Sequence, residues 1–453
     1  MAVIVGNASK EYISSLNFMD KRDYLNQVLD VTNESSTLVD ALEFTDRVKT
    51  TEVPSYIHLE NVKLFKAAAV NAVSVTASLV GDAAGESIEF TITAGTNSAL
   101  PVKGELAMFT SKKIGIVTSV VSGTLTVTVK PLSTSTILNP SGTTVVNGQN
   151  VIFFSAAAAE GSDDPDVRQP EWIQSKNNIQ IFKEAGEITD LQKVSAVEVT
   201  YGGKPYVMYK VQHDAYTRHK MKISNALLFG QKSAVVDGDG KTAYTTQGLR
   251  ASIFGGDGDT KLTGGITEQY STLDKADIRS LNRKLDKNMA PDEYWGYVGG
   301  DLWADIDDLL MTFDGVKYGQ SFVSFGSGAN GGRDKAVSLG FDSFKMYGRT
   351  FHMNKMKLLD HSGLFGATGF DFASEAYFIP TDKIKIDAGG GTSDRILMRV
   401  MAGDGTNFYP HMETVTGKLA PTPTNTKSVL HVSYQTIAGL QVCGTDHFAC
   451  LYK

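Results

Sequence analysis

Gly326-Ser327-Gly328-Ala329-Asn330-Gly331 has the G-x-G-x-x-G spacing of loops that cradle a dinucleotide pyrophosphate. It follows the strand-like run Ser321-Phe322-Val323-Ser324-Phe325. That chemistry also needs a helix directly afterwards, so that its N-terminus can face the phosphates. Here Gly332-Arg333-Asp334-Lys335 leads instead into the strand-like Val337-Ser338-Leu339-Gly340-Phe341. The run therefore reads as a glycine turn, and no cofactor is expected. Gly255-Gly256-Asp257-Gly258-Asp259-Thr260 approaches a calcium-binding nonapeptide, but Thr260 stands where a carboxylate is needed and the unit occurs once. Asp237-Gly238-Asp239-Gly240-Lys241 is too short for an EF-hand loop. Both read as solvated turns.

The other reactive side chains are dispersed. His213 and His219 are six positions apart, not the i, i+4 spacing of a helical metal pair. His352, His361, His411, His431 and His447 have no motif partners, and no nucleophile elbow surrounds a serine or cysteine. Asp305, Asp307 and Asp308 could hold a divalent ion, but such runs more often solvate the start of a helix, where negative charge is favoured. Trp172, Trp295 and Trp303 are not interleaved with basic residues, so they offer no stacking platform for nucleic acid. Cys443 and Cys450 lie seven positions apart. On one extended strand they would face opposite ways, and they read as buried or half-buried free thiols. No catalytic, cofactor-binding or metal-binding residue is assigned.

The elements that carry these residues fall into distinct stretches. The chain of 453 residues is too long for one ordinary core, which implies two or three structural units. Its 42% hydrophobic and 21% charged residues give a globular balance, and a net charge of −7 with scattered cations argues against a surface built to grip DNA. No apolar run is long enough to span a membrane, and residues 1–11 lack the pattern of a signal peptide, so residence in the cytoplasm is expected.

Residues 22–47 hold helix-compatible pieces, including Leu38, Val39 and Leu42, that read as an arm packing against something else. Residues 64–160 turn rich in Thr, Val, Ser, Ala and Gly. Alternation in Ser87-Ile88-Glu89-Phe90-Thr91-Ile92, in 115–120, in 124–129 and in 150–154 predicts short antiparallel strands of a small β-barrel or sandwich. Amphipathic spacing predicts helices over 212–229, with Gly230 in the C-cap position, over 272–289, stopped by Pro291, and over 300–310. Strands are expected at 350–353, 396–400 and 428–435.

Several stretches, in order, resemble the major capsid proteins of tailed bacteriophages. They are the β-rich run 117–127, the acidic exit Ala159-Glu160-Gly161-Ser162-Asp163-Asp164-Pro165, the strand Asn177-Asn178-Ile179-Gln180-Ile181-Phe182, and the helix ending Leu227-Leu228-Phe229-Gly230. Phe341, Phe344, Gly348, Phe351 and Met353, then residues 437–448, continue the likeness to the end, with a side resemblance to crAss-like phages. The resemblance implies an α+β chain of the HK97-type capsid fold with an inserted β-barrel or sandwich subdomain. It implies an N-terminal arm at 1–50 and an E-loop region at 51–176 carrying the insert at about 66–160. A P-domain with a long spine helix would occupy 177–254 and 405–453, and an A-domain 255–404.

The function so implied is that of a non-enzymatic head protein assembling into hexamers and pentamers of an icosahedral virion shell around double-stranded DNA. Assembly would take place in the bacterial host cytoplasm, without membrane or sequence-specific DNA contact. Because only about 50 residues precede the E-loop region, a separate scaffolding protein is expected beside portal and decoration proteins. Two competing readings are a monomeric glycan- or surface-binding β-module and a minor phage head protein. An enzyme ranks third.

Overall fold

The computed structural model of the chain describes residues 38–61, 68–70, 85–92, 100–110, 112–133, 149–158, 160–161, 172–189, 200–201, 204–236, 238–255, 264–314, 342–361, 371–385, 391–403, 406–407, 410–418, 422–424 and 426–453. Among these, the fold is α+β with strands predominating. It divides into two compact units, one of residues 1–57 and 176–453, the other of residues 58–175. The chain crosses between them within β2 (Ser55–Asn61) and β9 (Trp172–Asn178), which pair with each other.

The larger unit opens with helix α1 (Leu38–Phe44) and strand β1 (Val48–Thr51). One six-stranded sheet joins β1, β22 (Ile396–Gly403), β25 (Val429–Val442) and β10 (Gln180–Thr189), with β23 (Thr406–Asn407) on β22 and β24 (His411–Val415) on β25. β10 runs antiparallel to β25 over its whole length, from Gln180 opposite Ala438 to Thr189 opposite Val429. β25 alternates in burial over its first half and is continuously buried from Ile437 to Val442. The change of pattern marks where cover on one face becomes cover on both.

A second six-stranded sheet has the order β15 (Ile266–Gln269), β26 (Ala449–Tyr452), β19 (Ala376–Pro380), β16 (Glu293–Val298), β18 (Arg349–Lys355) and β17 (Asp342–Met346). Its two faces build two cores. Tyr294, Ala376, Phe378, Ala449 and Leu451 face one cluster with helices α4 (Lys275–Lys287) and α5 (Gly300–Asp314). The alternate residues Tyr377, Ile379 and Cys450 face the other cluster. That cluster gathers Leu38, Val39 and Leu42 of α1 with helices α2 (Tyr206–Phe229) and α3 (Leu249–Phe254), and with β22 and β25. Of the stretch read as an arm packing against something else, the described helix α1 buries Leu38, Val39 and Leu42 in the chain's own core. Sheet membership also cuts across the expected boundary at 404/405, since β22 pairs with β25 and β26 pairs with β19.

The helix expected at 212–229 begins earlier, at Tyr206, and buries Ala215, His219, Ile223 and Leu227 on one i, i+4 stripe. The helix expected from 272 starts at Lys275. Asp274 caps it, accepting from the backbone N–H of Ala276 and Asp277, and Asp277 reciprocates. It ends at Lys287, short of Pro291, and buried Arg349 donates to the carbonyls of Ala290 and Pro291 just beyond. Smaller ladders pair β11 (Thr200–Tyr201) with β12 (Lys204–Pro205), β13 (Ser233–Val236) with β14 (Thr242–Thr245), and β20 (Lys383–Lys385) with β21 (Thr392–Asp394).

In the smaller unit the described strands form one antiparallel sheet. Its order is β3 (Ala68–Val70), β8 (Gln149–Ala156), β5 (Glu105–Met108), β6 (Ile114–Val121), β7 (Thr126–Pro131) and β4 (Ile88–Thr91). Phe90 on the edge strand β4 meets Phe109, just past β5, at 5.9 Å between ring centroids. Three strand spacings in a flat sheet would separate them by about 14 Å, so the sheet curls over its inner face. Ile88, Ala107, Val117, Val127, Val129, Val151 and Phe153 complete that core.

Candidate functional site

The pattern Asn177-x-x-Gln180-Ile181-Phe182 sits at the turn between β9 and β10, and its polar members hold a distant loop. The Asn177 amide nitrogen donates to the carbonyl of Leu440 at 2.6 Å and to that of Gln247 at 3.2 Å. Its oxygen accepts from the backbone N–H of Gln247 at 2.9 Å and of Asn178 at 2.8 Å. Gln180 accepts from the N–H of Thr246 at 3.2 Å. The Tyr56 hydroxyl also donates to the Leu440 carbonyl, and burial pushes that phenol above its ordinary range. Phe182 enters the core while Ile181 points to solvent. This clamp joins β9, β25 and the loop between β14 and α3.

From the clamped loop springs the hairpin β13–β14. Its neck is closed by backbone contact. The N–H of Gly248 donates to the carbonyl of Gly230 at 2.8 Å, and the Thr245 hydroxyl donates to the Gln231 carbonyl at 2.6 Å. A Cβ on Gly230 would lie 2.5 Å from the Thr246 carbonyl oxygen, and one on Gly248 would lie 2.7 Å from the Gly230 nitrogen. Glycine at 230 is thus required by close approach of two backbones rather than by a left-handed cap. Beyond the neck, all of Ser233–Val236 is exposed, as are Thr242, Ala243 and Tyr244, and Val235 and Val236 point to opposite faces.

Behind the hairpin, α2 is fixed to its surroundings by charge and by a buried imidazole. Lys220 pairs with Asp40 at 2.5 Å and Glu43 at 3.3 Å, tying α2 to α1. Burial opposes its charge, but the hydrogen bond and the two carboxylates hold the amine above its ordinary range. His219 is buried, with Nε2 2.7 Å from the Thr436 hydroxyl and its ring stacked on Tyr434. Burial holds it below its ordinary value, so it is a neutral core histidine. Arg250 on α3 grips the buried carboxylate of Glu375 with two hydrogen bonds of 3.0 and 3.1 Å, and its guanidinium lies 4.6 Å from the Phe254 ring centre. Tyr377 donates to the same carboxylate. Tyr56, Thr246, Arg250 and Glu375 escaped the sequence reading because their partners lie far away in the chain, without local spacing to betray them.

Among the described residues, those named above do not gather in one cluster. Gly326–Gly331 and most of 255–260 lie outside the described residues, and Gly255 itself is the left-handed cap of α3, with φ 69°. Asp239 and Gly240 turn the β13–β14 hairpin. His213 is exposed on α2, six residues from buried His219. His352 lies 3.6 Å from Glu293, His411 is on exposed β24, His431 on β25, and His447 contacts the Asn288 carbonyl at 3.1 Å. Asp307 and Asp308 are exposed on α5 and Asp305 half-buried. Trp295 is covered by the guanidinium of Arg47, 4.6 Å from the ring centre, and Trp303 packs on the core beneath α5. Cys443 and Cys450 are both buried free thiols. They do not share a strand: Cys443 follows β25 and Cys450 lies in β26, across a short 3-10 turn at Thr445–His447.

A family model described as SU10 major capsid protein matches residues 6–331. No curated protein matches the chain. Among solved structures, the capsid of Myoviridae phage XM1 aligns with TM-score 0.40 and 9% identity over 99% of each chain. A Mycobacterium phage Bobi structure gives the same score, identity and coverage. The capsid structure of cyanophage P-SCSP1u aligns with TM-score 0.36 and 12% identity, over 66% of this chain and 80% of that one.

Proposed function

This chain belongs to the SU10 major capsid protein family, and from that premise we propose that its copies form the hexamers and pentamers of an icosahedral phage shell. As a major capsid protein it resides in the virion. The observation that carries the reading is the family match across residues 6–331. The proposal adds that the shell encloses double-stranded DNA and is built in the host cytoplasm with a separate scaffolding protein, a portal and decoration proteins. The subunit itself performs no catalysis. A net charge of −7 suits a wall that must not hold its genome tightly.

Within this proposal the subunit has the HK97-type organisation. Residues 1–50 are the arm, and 51–176 the E-loop region with its inserted β-subdomain. The separate compactness of 58–175 supports that assignment. Residues 177–254 and 405–453 are the P-domain, with α2 as spine helix packed on β10 and β25. Residues 255–404 are the A-domain.

The test is expression of the chain alone and with the scaffolding protein of the same phage, followed by sedimentation and negative-stain microscopy. Closed megadalton shells or capsomers with five- and six-fold symmetry are expected. Monomers in both preparations would overturn the proposal.

A further inference from the structure

Helices α4 and α5 each set an apolar stripe into the same core, Ile278, Leu281 and Leu285 from one and Leu302, Ile306 and Leu309 from the other. Their outward faces carry charge of opposite sign. On α4, Lys275, Arg279, Arg283 and Lys287 are exposed at successive i, i+4 positions. At about 1.5 Å per residue they form a basic ridge about 18 Å long. The neighbouring charges are matched within the chain: Asp286 pairs with Arg349 at 2.6 Å and Lys284 with Glu268 at 2.5 Å. Arg279 lies 5.9 Å from the ring centre of Tyr347. Arg283 and Lys287 have no acidic partner among the described residues. α5 is the reverse, with five aspartates and no cation over Gly300–Asp314. Asp301, Asp307 and Asp308 are exposed and Asp305 is half-buried. Among the described residues, none of these four stands in an ion pair. Like charges three or four apart repel along a helix, so each face is less stable in water alone than one of mixed sign.

We propose that the basic ridge of α4 in one copy docks on the acidic face of α5 in a second copy, around the ring of a capsomer. The proposal rests on the assembly reading above and names the two surfaces that meet. Charge selects the occupant. A nucleic acid or an acidic peptide would match the ridge but leave the acids of α5, in the same unit, without a counter-charge. A second copy supplies both missing charges at once. The two surfaces differ, so each copy offers its ridge to one neighbour and its acidic face to another. Contacts of that kind close into rings, whereas a two-fold pair needs one patch that matches itself. Exposed ion pairs are individually weak and are screened over about 8 Å at physiological salt. The contact therefore selects the neighbour and its orientation more than it supplies affinity.

The experiment reverses each surface in the full chain. A ridge variant carries Arg279→Glu, Arg283→Glu and Lys287→Glu. A face variant carries Asp301→Lys, Asp307→Lys and Asp308→Lys. A third chain carries all six changes. Circular dichroism and melting of the free chains should stay near parent values, because the positions are exposed. Sedimentation and negative-stain microscopy then read capsomers and shells under the conditions in which the parent assembles. Either single-surface variant should give about tenfold fewer shells, and the combined chain should recover to within about threefold of the parent. Co-expressing the ridge and face variants adds a sharper reading. Like copies repel and unlike copies attract, so the two alternate around a ring. Hexamers should form and pentamers should not, because a ring of five must contain one like pair. Where a reversal lowers the melting temperature, Arg279→Gln with Arg283→Gln takes its place, and a fall of about threefold is expected. Parent-like yield of either single-surface variant, or of that neutral one, would overturn the proposal. A combined chain as poor as the single-surface variants would also overturn it and would direct the ridge to nucleic acid or an acidic peptide. Pentamers from the co-expressed pair would count against it equally. Failure of the parent to form capsomers would overturn the assembly reading, and this inference with it.

Discussion

The amide nitrogen of Asn177 lies 2.6 Å from the carbonyl oxygen of Leu440, joining positions 263 residues apart inside the larger unit. Through that one side chain, the turn before β10, the C-terminal end of β25 and the loop before α3 hold a common geometry.

Replacing Asn177 with alanine leaves the Gln247 N–H without its acceptor and the Leu440 carbonyl without one of its donors. The expected loss is about 2–4 kcal/mol, the cost of buried polar groups deprived of partners. Urea denaturation of the free chain measures it. A loss within error of zero would mean that water or Thr246 replaces the amide.

Gly248→Ala tests the hairpin neck. The added Cβ would lie 2.7–2.8 Å from the Gly230 nitrogen and from the Leu228 carbonyl carbon and oxygen, all of them backbone. Backbone yields little, so a destabilisation of about 1–3 kcal/mol is expected, as for overpacking. Limited proteolysis should also cut faster within 231–247. Parent-like proteolysis with unchanged stability would show that the neck is loose.

His219 gives a pH dependence whose sign is fixed by burial. Its folded form resists protonation, whereas in the unfolded chain it takes a proton near pH 6.5. Below that value the unfolded state binds more protons, so stability falls as pH drops from about 6.5 towards the depressed folded value. Glu184, facing it beside Lys222, acts in a separate lower window. Burial works against its charge, but Lys222 and Arg218 hold it below the ordinary carboxylate range, and its contribution is lost only under more acid conditions. His219→Gln should flatten the slope of melting temperature against pH between 5.5 and 6.5, to the extent expected for one histidine. An unaltered slope would assign it to another group.

The two thiols should be unreactive in the native chain. Both are buried, and burial pushes Cys450 well above the usual thiol range, so its thiolate is scarce. Titration with a thiol reagent should find two equivalents in denaturant and close to none in buffer. Rapid native reaction at Cys450 would show that β26 opens readily.

Much of this architecture is legible in the sequence where one face of an element meets water. Thr126-Val127-Thr128-Val129 alternates because β7 has a dry and a wet side, and Asp274 with Asp277 announces the start of α4. Ala376-Tyr377-Phe378-Ile379 carries no such rhythm. β19 is covered on both faces, so its periodicity is erased although each face still has its own neighbours. The clamp is half legible. Asn177 and Gln180 stand in a recognisable pattern, but Thr246 and Leu440 become partners only once β25 has paired with β10. Arg250 and Glu375 lie 125 positions apart and share no spacing that local reasoning could use.

The placement of β26 between β15 and β19 has a consequence for timing. The described sheet of the smaller unit has all its strands once residue 156 has left the ribosome. The second sheet of the larger unit lacks an interior member until residues 449–452 emerge, and until then β15 has no partner in that ladder and Phe448 and Cys450 are missing from the core. Synthesis therefore has to pass residue 452 before that sheet can close, well after the described strands of the smaller unit have been made.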